Sequence, residues 1–291
     1  DPANRVPTTF ESLSPHHFLV SERTLRKWLW FALPKTRPMD NMRVGWDKAQ
    51  EDEVALSLLG APSTFLTVAF PNRPLQDPEA VTLEAMTPAQ RARWEQTFRR
   101  FLQTLLVKRP GRLVLKSPQH TFRLRQITRM FPQARFIHIA RDPRSVIPST
   151  AHFWWSMYAV HGLQVPKREG LDEFVLKTFA QMHEEYEQTQ ELIAPERLYE
   201  LKYEDLVVDP VAAVSQIYDY FGWPGLEAAE PALKQYAARS ERYQTNKFNL
   251  TPQLTAQIAH WCRPYCEKHG YPVPIAEGPS AQAAVPAESG S

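Results

Sequence analysis

The sequence of 291 residues is poor in cysteine, in net charge and in long apolar runs. Its two cysteines, Cys262 and Cys266 in "HWCRPYC", give no disulfide framework and point to a reducing, cytoplasmic setting. Their spacing matches no common zinc pattern, and Pro264 interrupts the helix between them, so no metal is expected. With 34 basic against 32 acidic residues, no global field recruits nucleic acid, and any anion site must be local. The basic run "RARWEQTFRRFLQTLLVKRPGR" shares a helix with a clear apolar face, which reads as a solvated helix surface and not a nucleic-acid site. No apolar stretch approaches the ~20 residues of a membrane span; the most apolar short piece, "WLWFALP", stops at Pro34. There is neither an internal repeat nor a Walker pattern.

What the chain does carry is 43% apolar content, enough for a sizeable core. Residues 1–272 read as one domain, and the Ala/Pro/Ser-rich stretch 273–291 as a disordered tail. "TPAQRARWEQTFRRFLQTLLVKRPG" has the grammar of a capped helix: Thr87 at the N-cap, Pro88 at the first position, Gln90 closing a capping box, and Trp94, Phe98, Phe101, Leu102 and Leu105 on one face. "DPVAAVSQIYDYFG" and "TPQLTAQIAHWC" repeat it. Strands are expected at "RLVLK", "RFIHIA" and "RLYELKY", with "TFRLRQITRMF" a helix between the first two. Strand, helix, strand predicts a parallel α/β sheet flanked by helices, whose ligands sit beyond the carboxyl ends of the strands.

Lys116 and Arg141 fall at those ends. Lys116 precedes Ser117 and a helix, which gathers an ammonium, a hydroxyl and free backbone N–H groups around one point. Arg141, before "DPRSVIPS", offers a planar fork to a phosphate. Two such ends on sequential parallel strands predict a shared phosphate-rich ligand; the alternative is a pair of solvated or ion-paired surface residues.

The runs "LKSPQH" and "FPQARFIHIARDPRSVIPS", with "RPMDNMRVGWDKAQEDEVALSLLGAPSTFLTVAFPNRP" upstream and "YELKYEDLVVDP" downstream, resemble the bacterial-type branch of the sulfotransferases that use 3′-phosphoadenosine 5′-phosphosulfate (PAPS). The resemblance implies a P-loop-NTPase-like three-layer fold. It implies transfer of a sulfuryl group to a hydroxyl or amine of a small-molecule or glycan acceptor, without a metal. It assigns the 3′-phosphate to Arg141 and Ser149, the transferring group to Lys116, the adenine to Tyr203, and further contacts to Ser240 and Lys247. For the general base the candidates are Glu11, the run Glu51, Asp52 and Glu53, and His120, one turn beyond Lys116; a solvated acidic first helical turn is the alternative for the run. The family's G-x-x-R-S-G-T-T turn, which holds the 5′-phosphosulfate, occurs nowhere in the sequence. The resemblance therefore implies a chain lacking the first strand, turn and helix, and an inactive fragment. A non-catalytic nucleotide-binding remnant or scaffold is the alternative.

Overall fold

The computed structural model describes residues 1–29, 33, 36, 43–75, 78–240 and 248–275, excepting the side chain of Ser240. The chain opens with β1 (Asn4–Arg5), α1 (Thr9–Leu13), α2 (Phe18–Trp28), α3 (Asp52–Leu58), α4 (Leu66–Ala69) and α5 (Pro88–Lys108). Next come β2 (Arg112–Leu113), α6 (Leu124–Met130), β3 (Phe136–Ala140), α7 (Pro143–His161) and α8 (Leu171–Thr189). It closes with β4 (Leu198–Lys202), α9 (Tyr203–Val208), α10 (Pro210–Phe221), α11 (Leu226–Ser240), α12 (Pro252–Trp261) and α13 (Arg263–His269).

The capped helices form where their signals stand. Thr87 accepts from the Gln90 amide, Gln90 returns the bond to the Thr87 amide, and Trp94, Phe98, Phe101, Leu102 and Leu105 are buried. Asp209 caps α10 through the amides of Val211 and Ala212, and Gly222 ends it in the left-handed region at φ 60°. The stretch after Lys116 departs from expectation: residues Pro118–Arg123 form a 3-10 turn, and the α-helix starts only at Leu124.

The strands pair in parallel, but β2 and β3, expected to share one sheet, lie in two different ones among the described residues. β1 lies beside β2, pairing Asn4 with Arg112 and Arg5 with Leu113, and β3 lies beside β4 from Phe136–Leu198 to Ala140–Lys202. β2 is short: its last bond to β1 runs from the Val114 amide to the Arg5 carbonyl, so Lys116 lies three residues beyond the strand expected to end on it. The β3–β4 sheet is the middle of three layers. On one face Phe136 and Leu198 pack with Leu124, Tyr186 and Ile193 of the α6–α8 side, while on the other Tyr199 meets Tyr220 and Phe221 of α10. That second face is only half covered, since Ile137 and Ile139 of β3 remain 40% and 47% exposed.

The main core lies between α1, α3, α5 and α6 around Phe10, Leu56, Trp94 and Phe98, and a second core joins α7, α8, α12 and α13 around Ile147, Leu176, Ile258 and Tyr265. Among the described residues, no helix is long and apolar enough to cross a membrane, and no cluster of His, Cys, Asp and Glu could hold a metal ion.

Candidate active site

The three consecutive carboxylates at the start of α3 have different surroundings, because successive helical side chains point about 100° apart. Glu51, the N-cap residue, is 25% exposed and pairs with Lys116, whose side chain is 76% exposed. Asp52 is fully buried, with the His120 Nε2 at 3.1 Å from Oδ1 and 3.0 Å from Oδ2. Burial pushes the Asp52 carboxyl up, but the charge and hydrogen bond of His120 outweigh it and hold the group below its ordinary value. Glu53 is buried as well, gripped by Arg123 at 2.5 and 3.2 Å and by the Ser63 hydroxyl at 2.7 Å.

Arg123 itself is 0% exposed, donates to the Ala80 and Val81 carbonyls, and lies 5.2 Å over the Trp94 ring. The cluster is therefore not a solvated first turn: two of its three members are buried ionic contacts. Glu53 has both oxygens committed and faces away from solvent, which conflicts with a role as the base. His120 is 17% exposed, with Nε2 on Asp52, its ring 5.8 Å from that of Phe98 and Nδ1 without a hydrogen-bond partner among the described residues. Glu11 is buried too, held by Lys108 at 2.6 Å, by Arg5 and by the Thr8 amide at 2.8 Å. Although burial raises its pKa, those partners bring it below the ordinary value. Of these candidates Glu51 is the most exposed, and it pairs with Lys116.

Arg141, at the carboxyl end of β3, places its guanidinium 4.1 Å over the Tyr203 ring. The structure thus brings together two residues that lie 62 positions apart in sequence and meet because β3 and β4 are adjacent. The Tyr265 hydroxyl of α13 fixes the Arg141 backbone, accepting from its amide at 2.9 Å and donating to its carbonyl at 3.2 Å. Asp142 caps α7 through the Arg144 amide at 2.8 Å, and its own amide donates to Glu204 at 3.2 Å. Glu204 also accepts from the Tyr271 hydroxyl at 2.7 Å, which with burial raises that phenol's pKa. Ser149 lies on α7, one residue beyond Pro148, which removes the helical bond to the Arg144 carbonyl and permits a bend there. Lys247 and the side chain of Ser240 fall outside the described residues. Tyr265, Glu204 and Tyr271 carried no local signal in the sequence; they reach the site through tertiary contact alone.

The structure thus sets Arg141 over an aromatic ring at the carboxyl end of β3, and Lys116 against the partly exposed Glu51 three residues beyond β2, in the other sheet. A family model described as "Sulfotransferase family" matches residues 30–228. The chain is 40% identical over 272 residues, 93% of its length, to omega-hydroxy-beta-dihydromenaquinone-9 sulfotransferase Stf3 of Mycobacterium bovis and of Mycobacterium tuberculosis, spanning 70% of each. The chain belongs to the sulfotransferase family. In fold it is similar to sulfotransferase STF9 from Mycobacterium avium, with TM-score 0.66 and 17% identity over 94% of this chain and 72% of that one. It is likewise similar to STF1 from Mycobacterium tuberculosis, with TM-score 0.55 and 17% identity over 89% and 70%. Those similarities place it in the P-loop-like α/β class.

Proposed function

We propose that the chain is a PAPS-dependent sulfotransferase acting on the hydroxyl of a small apolar acceptor, with Arg141, Ser149 and Tyr203 holding the 3′-phosphoadenosine end of the donor. The observation that carries this reading is Arg141 at the end of β3, its backbone held by Tyr265 and its guanidinium poised over the Tyr203 ring. A partly exposed planar cation on an aromatic ring fits a phosphate next to a purine. Lys116 would meet the charge that develops on the leaving phosphate oxygen as the S–O bond to the donor breaks and the S–O bond to the acceptor forms. Glu51 would take the acceptor proton.

The Lys116–Glu51 pair suits both roles, because an exposed ion pair is worth only about 0.2–1 kcal/mol and opens readily for substrate. The buried Glu53–Arg123 pair has no such freedom. A lipid-like acceptor is supported by the 40% identical relatives, whose names specify a menaquinone derivative. A reducing cytoplasmic setting fits both free, buried thiols, with burial pushing Cys262 up to about 12.

A second reading, a non-catalytic nucleotide-binding remnant, is favoured by one observation. The 291 residues contain no G-x-x-R-S-G-T-T turn. In this reading the chain binds the 3′-phosphate half of the donor without transferring a sulfuryl group.

Isothermal titration with 3′-phosphoadenosine 5′-phosphate tests the shared part. Arg141→Ala should weaken binding roughly 10- to 150-fold, the equivalent of a charge-assisted hydrogen bond of about 1.5–3 kcal/mol. Binding untouched by that substitution would remove the clamp. Transfer assays with PAPS separate the readings: sulfation of an isoprenoid alcohol supports the enzyme, and none supports the non-catalytic protein.

A further inference from the structure

Helix α2 carries a surface that the proposed transfer reaction does not use. Of its 11 residues only Phe18 is buried, beneath the Lys108 ammonium at 5.7 Å from its ring. Glu22, one turn on, points the same way and pairs with Lys108, so the inward side of the helix is fixed. The outward line at i, i+4 and i+8 is Val20, Thr24 and Trp28, with Val20 80% and Trp28 73% exposed. Immediately beside that line run Arg23 and Lys27, both exposed, and Arg26 follows on the same flank. Arg26 lies 3.7 Å from Glu22, which Lys108 also engages, and no ion pair involves Arg23 or Lys27 among the described residues.

A helix that exposes Val and Trp along one line and aligns cations beside it has the composition of an interfacial helix. The apolar line gains by leaving water, and the basic flank gains by meeting negative charge. A protein partner would need an apolar socket and acidic groups set in register with both lines. Both are met together by a bilayer surface, where Trp favours the headgroup level and Lys and Arg extend to the phosphates.

We infer that α2 docks this protein on an anionic phospholipid membrane, with Val20 and Trp28 entering the headgroup boundary and Arg23 and Lys27 contacting lipid phosphates. The inference is independent of the acceptor, because docking is measured without any transfer.

The test is sedimentation of the whole chain with large vesicles of phosphatidylcholine alone and of phosphatidylcholine with one-quarter phosphatidylglycerol, at 0.1 M salt. The expected result is partition onto the anionic vesicles only, weakening as salt rises. Trp28→Ala and Lys27→Glu should each reduce it about tenfold, since one cation near a charged surface contributes roughly a fivefold factor and its reversal more. Lys234→Glu, which reverses an exposed cation on α11, should leave it unchanged. The α2 substitutions lie on exposed positions, and matching thermal melts verify that the variants remain folded. Three outcomes would overturn the proposal: no partition onto anionic vesicles, equal loss in the Lys234→Glu control, or a concentration-dependent dimer that Trp28→Ala dissociates. The last would mean that a second copy covers the face.

Discussion

Replacing the carboxylates of α3 one at a time distinguishes an ionic contact in the core from a group free to act. In Glu53→Gln the Arg123 guanidinium keeps its carbonyl acceptors but loses its counter-charge at a site where both side chains are 0% exposed. Breaking a buried pair from one side costs about 3–5 kcal/mol, because the surviving charge stays desolvated. That is a large share of the 5–15 kcal/mol typical of a folded domain. With a urea slope of about 2–3 kcal/mol per M, the midpoint should fall by roughly 1–2 M. Arg123→Met should cost a similar amount for the converse reason. The double variant should recover most of the loss, since two neutral side chains of comparable volume leave no stranded charge. Glu51→Gln, which breaks only the exposed contact to Lys116, should shift stability by less than about 1 kcal/mol. Urea titrations followed by circular dichroism measure all four. If Glu53→Gln proved as mild as Glu51→Gln, or if the two core substitutions simply added, the assignment of Glu53 to the core and of Glu51 to the site would fail.

Acid should destabilise the fold through the cluster at the α8–α13 junction. Burial, with His138 and His183 nearby, holds His269 down to about 4 from its ordinary 6.5, so its neutral form contributes stability that is lost as pH falls from about 6.5 to 4. His138 and Tyr186 hold Glu200 at about 2 against an ordinary 4.5; its contribution is complete above 4.5 and disappears toward pH 2. Urea midpoints between pH 7.5 and 4 should therefore decline, and His269→Gln should flatten the upper part of that decline; an unchanged slope would contradict the assignment. Tyr265→Phe removes both bonds to the Arg141 backbone, and should reduce affinity for 3′-phosphoadenosine 5′-phosphate several-fold in calorimetry while costing about 1–2 kcal/mol of stability. Thr87→Ala should lower stability by about 1 kcal/mol through loss of the α5 cap, with no effect on that binding.

Local chemistry made much of this molecule legible in advance. The boundaries of α5, α10 and α12 follow from Thr87, Asp209 and Thr251 with a proline after each, because a cap acts on amides two or three residues away. β3, β4 and Arg141 directly after β3 follow from short apolar runs broken by turns, whereas the strand expected through Lys116 shrinks to Arg112–Leu113. Spacing also implied that Glu51, Asp52 and Glu53 could not all face one site, since each helical step turns about 100°.

Which one faces it was decided in three dimensions. Arg123 comes from the far side of the core to take Glu53, and His120 folds back onto Asp52, 68 residues away. A buried arginine reads in sequence like a surface one, so neither pairing could be foreseen, nor could Tyr265 reach Arg141 across 124 residues by any local rule. The division of β2 and β3 between two sheets was likewise hidden, because an apolar run specifies a strand but not which edge its amides will find. By itself the sequence determined the helix ends, the strands β3 and β4 and Arg141 at the carboxyl end of β3, all of which depend on neighbours within a few residues. Tertiary structure alone decided which carboxylate stays accessible and which aromatic ring supports Arg141, because burial and charge pairing depend on groups the chain brings together only by folding.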